Sequence, residues 1–226
     1  FCLSRGLGDV YKRQGLYAIP SAAVTQLLLP LAAVKEKHLI KRIVVSTYTS
    51  ASVYGKEAMD ELFDQIRKIY MNDTLADNQK VFKKQIAFNV IPQVGEFIGD
   101  ETACEWEMNA ETKKVLNADI KIHANCAIIP AFIGAGQYVN VECEDEVDVE
   151  EIRSLMKKTK GVVVFDKHVD GGYVSLTDVQ GENDVYVSRL RQDVSVENGF
   201  SFWSVADNLR VGVAKNAYDV VKLLAE

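Results

Sequence analysis

Two apolar periods share this chain, and their order along it restricts the fold more than any other feature. Residues 55–70 place Ala58, Met59, Leu62, Phe63, Ile66, Ile69 and Tyr70 at helical spacing. Lys56, Glu57, Asp60, Glu61, Asp64, Arg67 and Lys68 form the opposite, solvated side. Further along, the spacing drops to two. Ile120, Ile122, Ala124, Cys126 and Ile128 alternate with Lys121 and His123, as a strand with one buried face requires. The rest of the chain mixes the two signals. Residues 25–38 read as an apolar helix with Pro30 as its kink point, 41–48 as a buried β-branched strand, and 85–91 as a short strand ending at Pro92. Residues 101–116 read as a helix and 137–144 as a strand partnering 120–128. Asp148 and Glu151 have capping-box spacing ahead of Ile152, Leu155 and Met156, which predicts a short helix there. Residues 162–165, 173–179, 185–190 and 200–205 read as strands, with a turn at Asp170-Gly171-Gly172, and 207–224 as a closing helix. Helices interspersed with sequential strands predict an α+β domain with a mixed or mostly antiparallel sheet. There is no internal repeat or linker beyond Gly15.

Charge and cysteine usage then exclude whole classes of function. Lys plus Arg number 26 against 32 Asp plus Glu, a net charge of −6, with no basic block. Nucleic acid and anionic membrane are therefore not expected partners. The longest apolar run, near 27–34, is interrupted by Pro30 and is far short of a membrane span. Cys2, Cys104, Cys126 and Cys143 fit neither a zinc spacing nor a dense disulfide framework, so free thiols in a reducing cytoplasm are expected. His38, His123 and His168 are dispersed without metal-ligand spacing, and no metal is expected. Gly55-Lys56 lacks the glycines of a phosphate loop, and Gly134-Ala135-Gly136 lacks the third glycine of a dinucleotide fingerprint.

Residues 1–14, FCLSRGLGDVYKRQ, differ in composition from the remainder of the chain: basic, punctuated by glycine and without a period. They lack the apolar centre of a secretion signal. The DVYKRQ end resembles a translated sequencing-adapter end. The expectation is a non-native leader at 1–14, an authentic domain at 15–226, and a missing upstream portion.

Eight segments, in order, resemble the aspartate-semialdehyde dehydrogenase family. They are KRIVVSTY (41–48), GKEAMDEL (55–62), KQIAFNVIP (84–92), ETKKVL (111–116), DGGYV (170–174), VYVSRLRQD (185–193), VENG (196–199) and SVADNLR (204–210). The resemblance covers essentially all of 15–226 and only the second part of such enzymes, the catalytic and dimerisation domain. It implies a glyceraldehyde-3-phosphate-dehydrogenase-like C-terminal fold with helices on one sheet face. It also implies a missing nucleotide-binding domain, on which the family's final helix packs. The implied family reaction is NADPH-dependent reductive dephosphorylation of β-aspartyl phosphate, in lysine, threonine and methionine biosynthesis. That chemistry uses a cysteine thiolate nucleophile, a histidine acid–base, an orienting glutamine and an arginine carboxylate clamp.

Each of those positions is altered here. The family's Asn-Pro-Asn-Cys corresponds to Ile19-Pro20-Ser21-Ala22, so the nucleophile slot holds Ala22. Its Tyr-Gln corresponds to Tyr48-Thr49, so Thr49 stands in the glutamine slot. Its Cys-Val-Arg-Val-Pro corresponds to residues 126–130, placing Ile128 in the arginine slot. Its Gly-His-Ser becomes Gly134-Ala135-Gly136, placing Ala135 in the histidine slot. The small Ser-Gly-Ala-Gly becomes Ser52-Val53-Tyr54-Gly55. The substrate-binding glutamate is retained as Glu105, while its basic partner has become Glu107, a like charge where phosphate would sit. Asp207-Asn208-Leu209-Arg210 is intact, and the resemblance places Asn208 beside the nicotinamide.

Cys126 reads as a buried structural thiol, and Cys104 as a thiol whose ionisation is opposed by Glu101 and Glu105. The expectation is a catalytically inactive paralogue that forms a homodimer, or a heterodimer with an active paralogue. NADP is implied by resemblance but not expected to bind to this chain alone. Two other readings stand beside it: an oxidoreductase working through an unrecognised nucleophile, and a decaying copy or assembly chimera without function.

Overall fold

A computed structural model describes residues 17–74 and 80–225; the leader expected at 1–14 lies outside the described residues. In chain order the elements are α1 (Ala22–Lys37), β1 (Ile40–Thr49), α2 (Lys56–Tyr70), β2 (Phe97–Ile98), β3 (Glu101–Thr102), α3 (Ala103–Leu116), β4 (Lys121–Ile128), β5 (Ala135–Cys143), α4 (Val149–Lys158), β6 (Val162–Val164), β7 (Val185–Gln192), β8 (Gly199–Ala206) and α5 (Lys215–Ala225). Six strands form one sheet in the order β4-β1-β5-β8-β7-β6, and β2 and β3 make a separate hairpin. The pairs β4–β1 and β7–β6 are parallel and the other three antiparallel, so the sheet is mixed, as expected.

One face of the sheet is covered. Val45, Val139, Val141, Phe200 and Phe202 point inward beneath α1, whose Leu27, Leu31 and Val34 form a fully buried stripe one turn apart. α3 packs on β4, and α4 on β6 and β7. Truncating a leucine of that stripe would cost about 2–5 kcal/mol. α1 runs unbroken through Pro30, and Lys35 and Lys37 in its last turn complement its dipole. The other sheet face carries His123, Asn125, Tyr138 and Asn140, all exposed; at its β7–β8 end the 174–179 segment covers Val205 and Trp203, and no α-helix among the described residues packs on the remainder.

Several sequence expectations are corrected. Residues 85–91 are not a strand: Ile86 and Ala87 give their N–H groups to the buried Gln65 side chain (2.9 and 3.1 Å), and only Ile91 bridges to Ile128. Residues 173–179 form no strand either. The Val174 N–H goes to Ser188 Oγ, and a short 3-10 turn comes next at Leu176–Val179, where Asp178 caps Ser175. The closing helix does not begin at 207. Val211 and Gly212 leave helical geometry, Gly212 at φ +96°, and regular helix starts only at Lys215. On α2, Phe63 and Tyr70 face outward, and the buried side is Ala58, Leu62 and Gln65. The α4 cap is Asp148, accepting from Glu150 N–H at 3.1 Å, while Glu151 instead pairs with Lys37 and lies 3.3 Å from His38. No helix among the described residues is long and apolar enough to cross a membrane.

Candidate functional site

Strand register brings the altered slots to one end of the sheet. Thr49, the last residue of β1, pairs with Ile128 of β4 on one side and Ala135 of β5 on the other. Ala135 in turn pairs with Ala206 of β8. These paired residues are all buried, Ile128 at 1% and Thr49 at 7% exposure. Ala22 reaches the same place because the first turn of α1 is tied over β5 and β8. Gln26 Nε2 donates to the Ala135 and Ser204 carbonyls, both at 3.1 Å, and Gln137 Nε2 donates to the Ala23 carbonyl at 2.8 Å. Glu111 of α3 accepts the Ser21 N–H at 2.8 Å, fixing the start of α1. Gly212 lies against that start: a Cβ there would sit 2.5 Å from Ala22 Cα. The four slots therefore present two methyls, one branched alkyl and one hydroxyl. They contain no thiol, imidazole, amide or guanidinium.

Beside them, three loops are joined through one amide. Asn208, just after β8, accepts the Gly134 N–H at 2.8 Å and the hydroxyls of Ser52 and Ser50 at 3.1 and 3.4 Å. Its Nδ2 donates to Ser52 Oγ at 2.9 Å. Backbone bonds from Ser50, Ala51 and Ser52 to Gly134, Ala131 and Phe132 reinforce the contact between the β1 and β4–β5 loops. Asp207, 4% exposed, accepts from the Gly181 and Leu209 N–H groups. Asn208 thus spends its polar atoms inside the chain. Sequence reading nominated Asn208 but missed Ser50 and Ser52, which lie just past a strand where spacing assigns no partner.

Glu105 is committed too. Its carboxylate accepts the Thr102 N–H at the start of α3 (2.8 Å) and the Cys126 N–H in β4 (3.1 Å). Burial works to raise this carboxyl, but the Thr102 and Cys126 N–H groups outweigh it and hold it below the ordinary range. Glu107 goes the other way, raised by burial and by Glu111. The neighbouring Cys126 side chain, then burial, then the Glu107 and Glu105 carboxylates push the Cys104 thiol far above its ordinary value. Glu107, named from the sequence for its like charge, also acts on Cys104, where Glu101 was expected. Cys126 is buried at 3%, as expected for a structural thiol. Cys143 is pushed up to about 11 by burial and then by Asp145 and Glu142.

The Tyr54 hydroxyl accepts the Gly95 N–H at 2.7 Å and its ring packs edge-on against Phe82. At Gly136 a Cβ would fall 2.1 Å from Trp203 Cη2, so the indole occupies the space that any side chain there would need. No group of metal-ligating side chains occurs among the described residues. An open cleft of 390 Å³, lined by Glu150, Arg153, Lys157, Val164, Asp166 and His168, lies at the far β6 edge and not at this site.

Comparison with known proteins gives a consistent result. A family model described as "Semialdehyde dehydrogenase, dimerisation domain" matches residues 28–211. The chain is 36% identical over 206 residues to an aspartate-semialdehyde dehydrogenase of Rickettsia bellii, covering 91% of this chain and 60% of that one. It is likewise 36% identical over 218 residues to that of Aquifex aeolicus, covering 96% and 64%. Among solved structures, aspartate semialdehyde dehydrogenase II of Vibrio cholerae superposes with a TM-score of 0.87 at 33% identity, over 91% of this chain and 61% of that one. The chain therefore spans about three fifths of the length of the relatives it matches.

Proposed function

The chain belongs to the semialdehyde dehydrogenase family, whose dimerisation domain it carries, and from that premise we propose that it is a non-catalytic member of the aspartate-semialdehyde dehydrogenase type, kept as a dimerising partner. The observation that carries this reading is the buried row Ile128–Thr49–Ala135 with Ala22 beside it. Acyl transfer from a phosphate needs a nucleophile, a proton carrier and a counter-charge for the substrate carboxylate. The row supplies none of the three, since the Thr49 hydroxyl has no base among its row neighbours. Loss of the nucleophile alone lowers turnover by several powers of ten. Apolar Ile128 and Ala135 also disfavour burial of a charged substrate. Glu107, beside Glu111, sets negative charge where an anionic substrate would approach.

The fit to NADP is poor at the one residue implicated. Asn208 uses both ends of its amide on Ser52 and Gly134, so no step is routed through a nicotinamide here. A working alternative nucleophile has little support: Cys104 is held protonated, and Cys126 is buried under α3. Cys104, Cys126 and Cys143 are free of disulfides, which suits a reducing cytoplasm.

The open β4–β1–β5 part of that sheet face is the proposed dimer surface. Tyr48, Tyr138 and Trp203 cluster there with centroids 4.7–6.4 Å apart, and Tyr138 is 42% exposed. Such a face fits a second copy of this chain, or an active paralogue with the same surface. The test combines sedimentation of the purified chain with an activity assay on the full-length gene product. A dimer is expected, with no NADPH formed from NADP, phosphate and aspartate semialdehyde above a no-protein control. A stable monomer would overturn the dimer. Turnover, or a covalent aspartyl adduct on any side chain by mass spectrometry, would overturn the non-catalytic assignment.

A further inference from the structure

The open cleft at the β6 edge belongs neither to the altered row nor to the proposed dimer surface, and all but one of its lining side chains are charged or titratable. Glu150, Arg153 and Lys157 come from one face of α4, at spacings of three and four residues. Val164, Asp166 and His168 come from β6 and the segment that follows it. One part of the lining is fixed. The Asp166 carboxylate, 1% exposed, takes the Arg153 guanidinium at 2.8 Å and the Arg189 and Leu190 N–H groups at 2.8 and 3.2 Å. Arg153 also reaches Glu150 at 3.3 Å and the Leu190 carbonyl at 3.5 Å, so it has little left for a ligand. The other groups are open. Among the described residues, the exposed Lys157 ammonium and His168 ring have no hydrogen-bond or ion-pair partner. The Glu150 carboxylate is 74% exposed and meets only Arg153. The backbone adds a donor and an acceptor. β6 is the outer strand of the sheet. The Phe165 N–H bonds to the Val187 carbonyl and Gly161 accepts from Val185, so 161 and 165 turn toward β7, while Val162 sends its N–H away to the Thr159 carbonyl. The same alternation turns the N–H and C=O of Val164, which lines the cleft, outward from the sheet.

Charge selects the ligand. Glu150 and Asp166 balance Arg153 and Lys157, two carboxylates against two permanent cations, with the His168 imidazole beside them. A simple anion or cation leaves one sign uncompensated, whereas a zwitterion meets both. An open strand edge offers the same pair of functions, an N–H for a carboxylate and a C=O for an ammonium. We propose that this cleft binds a free α-amino acid. Lys157, His168 and the Val164 N–H take its carboxylate, and Glu150 and the Val164 carbonyl take its ammonium. The volume of 390 Å³ lies at the small end of ligand pockets, as such a ligand requires. Bound there, the amino acid bridges α4 to the edge of the sheet.

The test follows the imidazole proton–carbon signals of the full chain by NMR, which its three histidines keep simple, with His168→Gln identifying the signal of interest. The standard amino acids are added one at a time. At least one is expected to move the His168 signal saturably while those of His38 and His123 stay in place. Acetate and methylamine, which carry one charge each, should bind about tenfold more weakly or not at all. Lys157→Met and Glu150→Gln, both at exposed positions, should each weaken the amino acid by about tenfold. The proposal is overturned if no amino acid moves His168 at about 10 mM, the result expected if these charges serve only to keep the β6 edge from pairing with other chains. It is equally overturned if acetate binds as tightly as the best amino acid, which marks an adventitious ion only, or if Glu150→Gln leaves the affinity unchanged. Should a variant fail to fold, the comparison with acetate and methylamine on the wild-type chain decides.

Discussion

Replacing Asn208 by alanine separates a structural duty for this residue from a ligand-facing one. In the folded chain its amide is the acceptor for the Gly134 N–H at 2.8 Å and is bonded twice to Ser52. The variant strands the Gly134 donor, and a buried unsatisfied N–H costs about 1–3 kcal/mol. Ser50 and Ser52 keep each other at 2.9 Å, so their loss is smaller, about 0.5–1 kcal/mol together. The sum is about 1.5–4 kcal/mol, which for a domain of this size lowers Tm by roughly 3–16 °C. Thermal unfolding tracked by circular dichroism reads the shift directly. Asn208→Asp serves as the control. Its carboxylate still accepts from Gly134 and the serines and loses only the Nδ2 donation, so less than half the loss is expected. If Asn208→Ala unfolds within about 1 °C of wild type, the claim that this amide holds three loops together is wrong.

Two further substitutions test neighbouring claims. Gly136→Ala would drive a Cβ into Trp203, whose indole is pinned by Nε1 donating to the Val174 carbonyl at 2.9 Å. A loss of about 1–3 kcal/mol in urea unfolding is expected, and a smaller increment when Gly136→Ala is made in a Trp203→Ala background; a neutral Gly136→Ala would refute the packing argument. Asp166 is 1% exposed and pairs with Arg153 at 2.8 Å. Burial acts to raise its carboxyl, but Arg153 and the Arg189 and Leu190 N–H groups prevail and hold it below the ordinary range. A depressed folded pKa stabilises above the unfolded value, about 3.9, and that stability is lost as pH falls through the lower folded value. Asp166→Asn should therefore be about 3 kcal/mol less stable at neutral pH, with the gap closing below about pH 4; a pH-independent gap would count against this ion pair.

How much of the fold was legible in the sequence depends on where the physics is local. Alternation at 120–128 located β4 and its faces because one side of that strand is buried throughout its second half. The same reasoning failed at 85–91, since β-branched composition does not reveal that a side chain, Gln65, will take the N–H groups a neighbouring strand would otherwise accept. It failed again at 207–214, where a periodic apolar pattern continues through Gly212 although that glycine must take φ +96° to sit against Ala22. The site is harder still. Thr49, Ile128 and Ala135 are brought side by side by strand register alone. No spacing rule contains that register, so their grouping entered through family resemblance. The bonds of Ser50 and Ser52 to Asn208 had no sequence signal at all, although Asn208 itself was named by the resemblance.

Under the proposal that the row is non-catalytic, the packing around it bears on whether the chain is a relic. Relaxed selection removes a side chain without refilling its space. Here Gly136 coincides with an indole that a larger residue would displace, and Tyr54 with a hydrogen bond and a ring contact to the 82–95 loop. Ile128 is 1% exposed and its backbone is bridged on the outer side by Ile91, so the branched alkyl group is packed and not left over a void. Close packing of this kind keeps the sheet, its covered face and its exposed aromatic cluster intact, which is what the proposed dimerising role requires and what decay would not maintain.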